Sequence, residues 1–119
     1  MIQRGTRLLV SLMLAAAMVA GSAGFANAAV VVKATSTRHW NPAKTTVAKG
    51  TKVVWKNPTT TTHTVTAYSK NWSKNVTLSS GATTSSVFKN TGTFKFRCTI
   101  HSTLVGGVCS GMCGVVKVS

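Results

Sequence analysis

The stretch Thr93-Phe94-Lys95-Phe96-Arg97-Cys98-Thr99-Ile100-His101 decides how this chain is read. Its first six residues alternate, so that Phe94, Phe96 and Cys98 share one face while Lys95 and Arg97 point to water. This is the pattern of a half-buried strand, and it leaves Cys98 on the core face at the strand end. Val53 and Trp55, set between Lys52 and Lys56, repeat the pattern and give a second strand with an apolar inner face. From Val30 onward the chain is dense in Val and Thr, broken by Gly and Pro, and lacks helical periodicity beyond a couple of turns. Strands are predicted over residues 30–34, 45–48, 52–57, 63–67, 83–88, 93–98 and 115–118. Turn signals at Lys49-Gly50, Asn57-Pro58, Ser80-Gly81 and Asn90-Thr91-Gly92 separate them. The polar stretch around Trp72 reads as a loop or a partial turn of helix. Short strands at this spacing predict an all-β fold, a β-sandwich of about seven to eight strands.

The first residues have a different character. Arg4 and Arg7 precede an apolar run over residues 8–20, and small residues follow, ending Ala26-Asn27-Ala28. That is the three-part layout of a secretory signal peptide, with cleavage expected after Ala28. The run is shorter than the roughly 20 apolar residues a membrane-spanning helix needs. The expected organisation is a signal peptide at 1–28 and one domain at 29–119, exported to the periplasm, the cell envelope or the exterior.

The chain has 14 Lys and Arg and no Asp or Glu, for a formal charge of +14. The missing carboxylates exclude paired-carboxylate glycoside hydrolysis, aspartic proteolysis and a Ser-His-Asp triad. Calcium and magnesium sites built on carboxylate oxygens are excluded on the same ground. Such a charge raises the question of nucleic acid, but export argues against that partner. The remaining anions are acidic proteins, head groups and wall polymers, which attract a cationic protein at long range. Peripheral contact with an anionic membrane or wall surface is one expectation, and a monomer is another. Cys98, Cys109 and Cys113 make an odd number in an oxidising compartment, so one thiol is left over and needs a role.

Metal ligation supplies that role. Cys98-Thr99-Ile100-His101 is followed by Met112, and His63 opens the earlier Thr64-Val65-Thr66. A thiolate, two imidazoles and a thioether suit a copper ion that cycles between two oxidation states, in a trigonal His, His, Cys arrangement with a weak axial Met. Because Cys98 ends an inward strand, the loop after it can bring His101 to the same point. A structural zinc reading also exists, because Cys98, His101, Cys109 and Cys113 form a Cys-x2-His-x7-Cys-x3-Cys series. His39, beside the inward Trp40, is expected at the surface.

These residues resemble a known family. Trp40-Asn41-Pro42, Val47-Ala48-Lys49-Gly50, Val53-Val54-Trp55-Lys56-Asn57 and His63-Thr64-Val65-Thr66 are similar to segments of the cupredoxins. So are Phe94 through His101 and Met112-Cys113-Gly114-Val115-Val116-Lys117-Val118, the likeness being to the small plastocyanin and pseudoazurin type. The resemblance implies a Greek-key β-sandwich, a type 1 copper site held by His63, Cys98, His101 and Met112, and single-electron transfer between redox partners. In plastocyanin-like members only a few residues separate the second His from the axial Met, whereas here Ser102 to Gly111 intervene. One alignment places Leu104 near the axial position and leaves three ligands; the other keeps Met112, followed in register by the terminal strand. The insertion holds Cys109, and Cys113 follows Met112; these two can close a small disulfide that orients Met112. Family members that dock through acidic patches have no counterpart here, so redox partners are expected to bring the acidic surface. Rival functions are a copper-binding or copper-carrying protein without electron transfer, and a structural β-sandwich. Enzymatic activity is not expected, because four protein ligands leave no open position for substrate.

Overall fold

The computed structural model describes residues 28–119, and the expected signal peptide lies almost wholly outside them. Nine strands follow in order: β1 (Val30–Ala34), β2 (Trp40–Asn41), β3 (Lys44–Val47), β4 (Thr51–Lys56), β5 (His63–Ala67), β6 (Asn75–Leu78), β7 (Thr83–Phe88), β8 (Gly92–Val105) and β9 (Val108–Val118). They form a four-stranded sheet, β2-β1-β4-β7, and a five-stranded sheet, β3-β9-β8-β5-β6. β1 runs parallel to β4 and β3 parallel to β9; the other pairs are antiparallel. The chain passes repeatedly from one sheet to the other, so the fold is the β-sandwich that the alternating strands predict.

The core lies between the inward faces. Val32 and Ala34 of β1, Val53 and Trp55 of β4, and Phe88 of β7 meet Val65, Phe94, Phe96, Cys98, Met112, Val116 and Val118 of the second sheet. In β8 the buried positions are Phe94, Phe96 and Cys98, with Lys95 exposed between them. In β9 they are Met112, Gly114, Val116 and Val118. Phe96 packs edge-on to both Trp55 and Trp40, at ring separations of 5.3 and 5.8 Å. Burying side chains of this size removes apolar surface worth roughly 1.5–3 kcal/mol each.

The structure adds to the sequence reading two short strands and a hairpin. Trp40–Asn41 and Asn75–Leu78 are strands: Ala34 and Lys33 pair with the first, and β5 pairs along the whole of the second. Trp72 lies in a loop, one of the two expectations for its stretch. It is half-buried, stacks on Trp55 at 6.2 Å and donates its Nε1–H to Lys95 O. The insertion after His101 is not a loop: β8 and β9 continue into a two-stranded hairpin, pairing Ser102 with Gly111, Thr103 with Ser110, Leu104 with Cys109 and Val105 with Val108. Gly106 and Gly107 turn it, with φ of 57° and 78°. Positive φ at both central residues matches the right-handed twist of the flanking strands, and glycine adopts it without steric cost.

Candidate metal centre

Three residues from two strands converge at one end of the sandwich. His63 begins β5, Cys98 ends the inward alternation of β8, and His101 follows three residues later. The β8–β9 ladder is regular up to Arg97↔Cys113 and resumes at Ser102↔Gly111, with an irregularity between. The bulge frees residues 98–101 from straight pairing, which re-aims side chains as bulges commonly do. Cys98 and His63 are fully buried, and His101 is half-buried.

The donor atoms form a small triangle. His63 Nδ1 lies 3.2 Å from His101 Nδ1, and Cys98 Sγ lies 3.8 Å from the first and 3.5 Å from the second. The point equidistant from these three atoms stands about 2.0 Å from each, which is the length of a metal–imidazole bond, roughly 2.0–2.1 Å. Among the described residues this is the cluster of His and Cys able to hold a metal ion. Burial, then the neighbouring His101 and Arg38, lower the His63 pKa below the ordinary imidazole value of 6.5. The neutral imidazole that a metal requires is thereby favoured.

Met112 is the residue of β9 that lies opposite the bulge. It is fully buried on the inner face of β9, between the paired Gly111 and Cys113, and so lies across the ladder from the bulged residues 98–101. Leu104, the alternative, sits out on the hairpin and is 37% exposed. Gly111 has φ of 99°, and a β-carbon there would stand 2.5 Å from His101 O. Only glycine lets β9 pass this close to the His101 backbone.

Backbone and hydroxyl groups hold the cluster in place. Thr64 N–H donates to Cys98 Sγ at 3.3 Å. Thr99 N–H donates to Thr64 Oγ1 at 2.9 Å, tying β5 to β8 beyond the point where their ladder stops. Arg97 Nη1 donates to Ser102 Oγ at 3.0 Å, and that hydroxyl donates to Cys98 O. Thr59 Oγ1 contacts the far side of the His63 ring at Nε2 and donates in turn to the buried Asn57. Sequence reasoning missed Thr64, Asn57 and Thr59. The signal was present in the polar run Thr59 to Thr62 immediately before His63, which reads as a plain loop when hydroxyls are not counted as hydrogen-bond partners.

Cys109 and Cys113 are joined by a disulfide, and Cys98 is the free thiol. The pairing takes two sulfurs out of the zinc series, leaving it one Cys and one His. His39 is exposed, as expected from its neighbour Trp40. A thiolate and two imidazoles converging on one point are donors for copper, and the cofactor is one copper ion.

Comparison with known proteins supports the fold and gives the family. The model of the Cupredoxin-like domain matches residues 8–109. A reduced amicyanin variant is 23% identical, covering 77% of this chain and 83% of its own, with a TM-score of 0.64. A purple cupredoxin from Nitrosopumilus maritimus is 20% identical over 76% of this chain and 99% of its own, with a TM-score of 0.59. No curated protein matches the sequence. With its two-sheet fold, its His, Cys, His cluster and a family match over most of its length, the chain belongs to the cupredoxin-like family.

Proposed function

We propose that this protein is an exported carrier of single electrons, in which His63, Cys98, His101 and Met112 hold one copper ion. The observation that carries the reading is the triangle of His63 Nδ1, His101 Nδ1 and Cys98 Sγ, sized for one ion, with the Trp40 ring 6.3 Å from that of His63. Copper, when bound, supplies a one-electron couple between its cuprous and cupric states. The chain's own residues keep that couple clean. Thr64 N–H and the buried surroundings of Cys98 hold the sulfur in one place and exclude water from it. Donors pinned on three strands, one of them bulged, move little between oxidation states, and a small rearrangement favours fast transfer. Four protein donors leave no place for a substrate, so the protein is a carrier and not an enzyme.

The docking face in this proposal is the end of the sandwich that carries His101. Ile100, Leu104, Val105 and Val108 are exposed there, and residues 98–114 carry no Lys or Arg. The lysines elsewhere attract an acidic partner, and the uncharged hairpin meets it at close range. Electrochemistry of the mature, copper-loaded chain tests the carrier role against the copper-delivery alternative. An electron carrier cycles reversibly with its copper retained in the presence of a competing cuprous chelator. Loss of copper on reduction would favour delivery.

A further inference from the structure

Thr59 stands four residues before His63, in the connection from β4 to β5, and its Oγ1 lies 3.1 Å from His63 Nε2. The other ring nitrogen, Nδ1, is the one that faces Cys98 Sγ and His101 Nδ1. A neutral imidazole carries one proton, and the nitrogen that holds it has no lone pair to offer a metal. The position of that proton therefore decides whether His63 is ready to ligate. A chain of hydrogen bonds beginning at the buried Asn57 sets it.

The Asn57 amide has one acceptable orientation. Its Nδ2 is 2.8 Å from Thr61 O and 3.0 Å from Leu78 O, both of which can only accept. Its Oδ1 is 3.0 Å from Thr59 N, which can only donate. Turned over, the amide would set donor against donor and acceptor against two acceptors. Oδ1 is thus an acceptor, and the Thr59 hydroxyl at 2.6 Å donates to it. The other oxygen within reach of that hydroxyl, Thr61 O at 3.1 Å, also only accepts. A hydroxyl has a single proton to give. With that proton spent on an oxygen, Oγ1 meets His63 Nε2 as an acceptor, and Nε2 must carry the hydrogen.

We infer that Thr59, oriented by Asn57, is a positioning residue that locks His63 in its Nε2–H tautomer and so presents the Nδ1 lone pair to the metal before any ion arrives. The inference rests on the reading of His63 as a copper ligand, but the lock itself belongs to the metal-free chain. A partner on the outer nitrogen of a metal-binding His commonly changes metal affinity by about 10–100-fold. Here the partner is a neutral hydroxyl whose direction is fixed two bonds further out.

Long-range 1H–15N NMR of the metal-free mature chain, at a pH of about 8 where imidazole is neutral, reads the tautomer directly. Wild type should show His63 wholly as Nε2–H. Finding the proton on Nδ1 overturns the inference whatever the variants do. Thr59→Val keeps the shape and removes the hydroxyl; it should give a mixture of tautomers and about a tenfold loss of copper affinity, while Thr59→Ser restores both. A folded Thr59→Val chain with an unchanged tautomer would contradict the lock. If Thr59→Val fails to fold, Thr59→Ser with a wild-type tautomer and wild-type affinity supports it, and an altered tautomer in that variant opposes it. A wild-type chain that shows Nε2–H yet binds no copper would sink the copper reading and leave the lock standing.

Discussion

Gly114 lies flat against the ring of Phe96: a β-carbon at position 114 would stand 2.2 Å from Phe96 Cζ and 2.5 Å from its Cε2. The two residues face each other across the β8–β9 ladder, Phe96 two positions before Cys98 and Gly114 two positions after Met112. Phe96 in turn touches Trp40 and Trp55, and Trp40 lies 6.3 Å from the His63 ring. One glycine thus lets the aromatic floor of the metal centre sit where it does. Gly114→Ala forces Phe96 out of its rotamer and is expected to cost about 1–3 kcal/mol. Chemical denaturation should show a lower midpoint with an unchanged slope; an unaltered midpoint would mean that the floor is softer than its packing indicates.

Met112 and Leu104 are the two candidates for the axial place, and burial separates them. Met112→Leu preserves volume in the core, so the fold should survive at a cost below about 1.5 kcal/mol. Loss of the weak thioether donor should raise the reduction potential and alter the visible spectrum. Leu104→Ala, out on the hairpin, should leave both as they are. A spectrum sensitive to Leu104 and indifferent to Met112 would reverse the assignment.

The metal-free protein should weaken in mild acid. His63 has its pKa lowered first by burial, then by His101 and Arg38. As pH falls through 6.5 the unfolded chain takes up a proton at this position before the folded chain does. Stability therefore declines on acidification between that value and the lower folded one, and is regained as pH rises. Urea midpoints of the metal-free wild type should drop over this window, and those of His63→Gln should drop less. Parallel curves would show that His63 is not the responsible group.

Docking driven by cationic charge should weaken with salt. The chain has no acidic side chain, so attraction to an acidic partner is not offset by local repulsion. The bimolecular rate with an acidic electron-transfer protein is expected to fall steeply as ionic strength rises from about 0.01 to 0.15 M, where the screening length shrinks from roughly 30 to 8 Å. Val105→Asp and Val108→Asp, at exposed hairpin positions, should slow the same reaction without changing the reduction potential. A rate that is flat in salt would remove the electrostatic account.

Strand alternation made β4, β7 and the first half of β8 legible in the sequence, because each has one wet face, whereas β5, with no exposed residue, was legible from its Val and Thr content. β2 is only Trp40–Asn41, too short to show a period, and β6 alternates half-buried with exposed residues at an edge. The hairpin over residues 102–111 was hidden because both of its faces meet water, so Thr103-Leu104-Val105 carries no inward signal. His63, Cys98 and His101 could be read from residue type and order, and they do come together. What held them could not be read: Thr64 N–H on the sulfur is a backbone group, and Gly111 and Gly114 matter through the space they leave empty.

The central claim is a copper ion bonded to the sulfur of Cys98, and the visible spectrum of the mature chain titrated with cupric ion tests it most directly. The account predicts an intense blue, green or purple charge-transfer band that saturates at one copper per chain and disappears in Cys98→Ser. A colourless complex, or a band that persists without the Cys98 thiol, would contradict it.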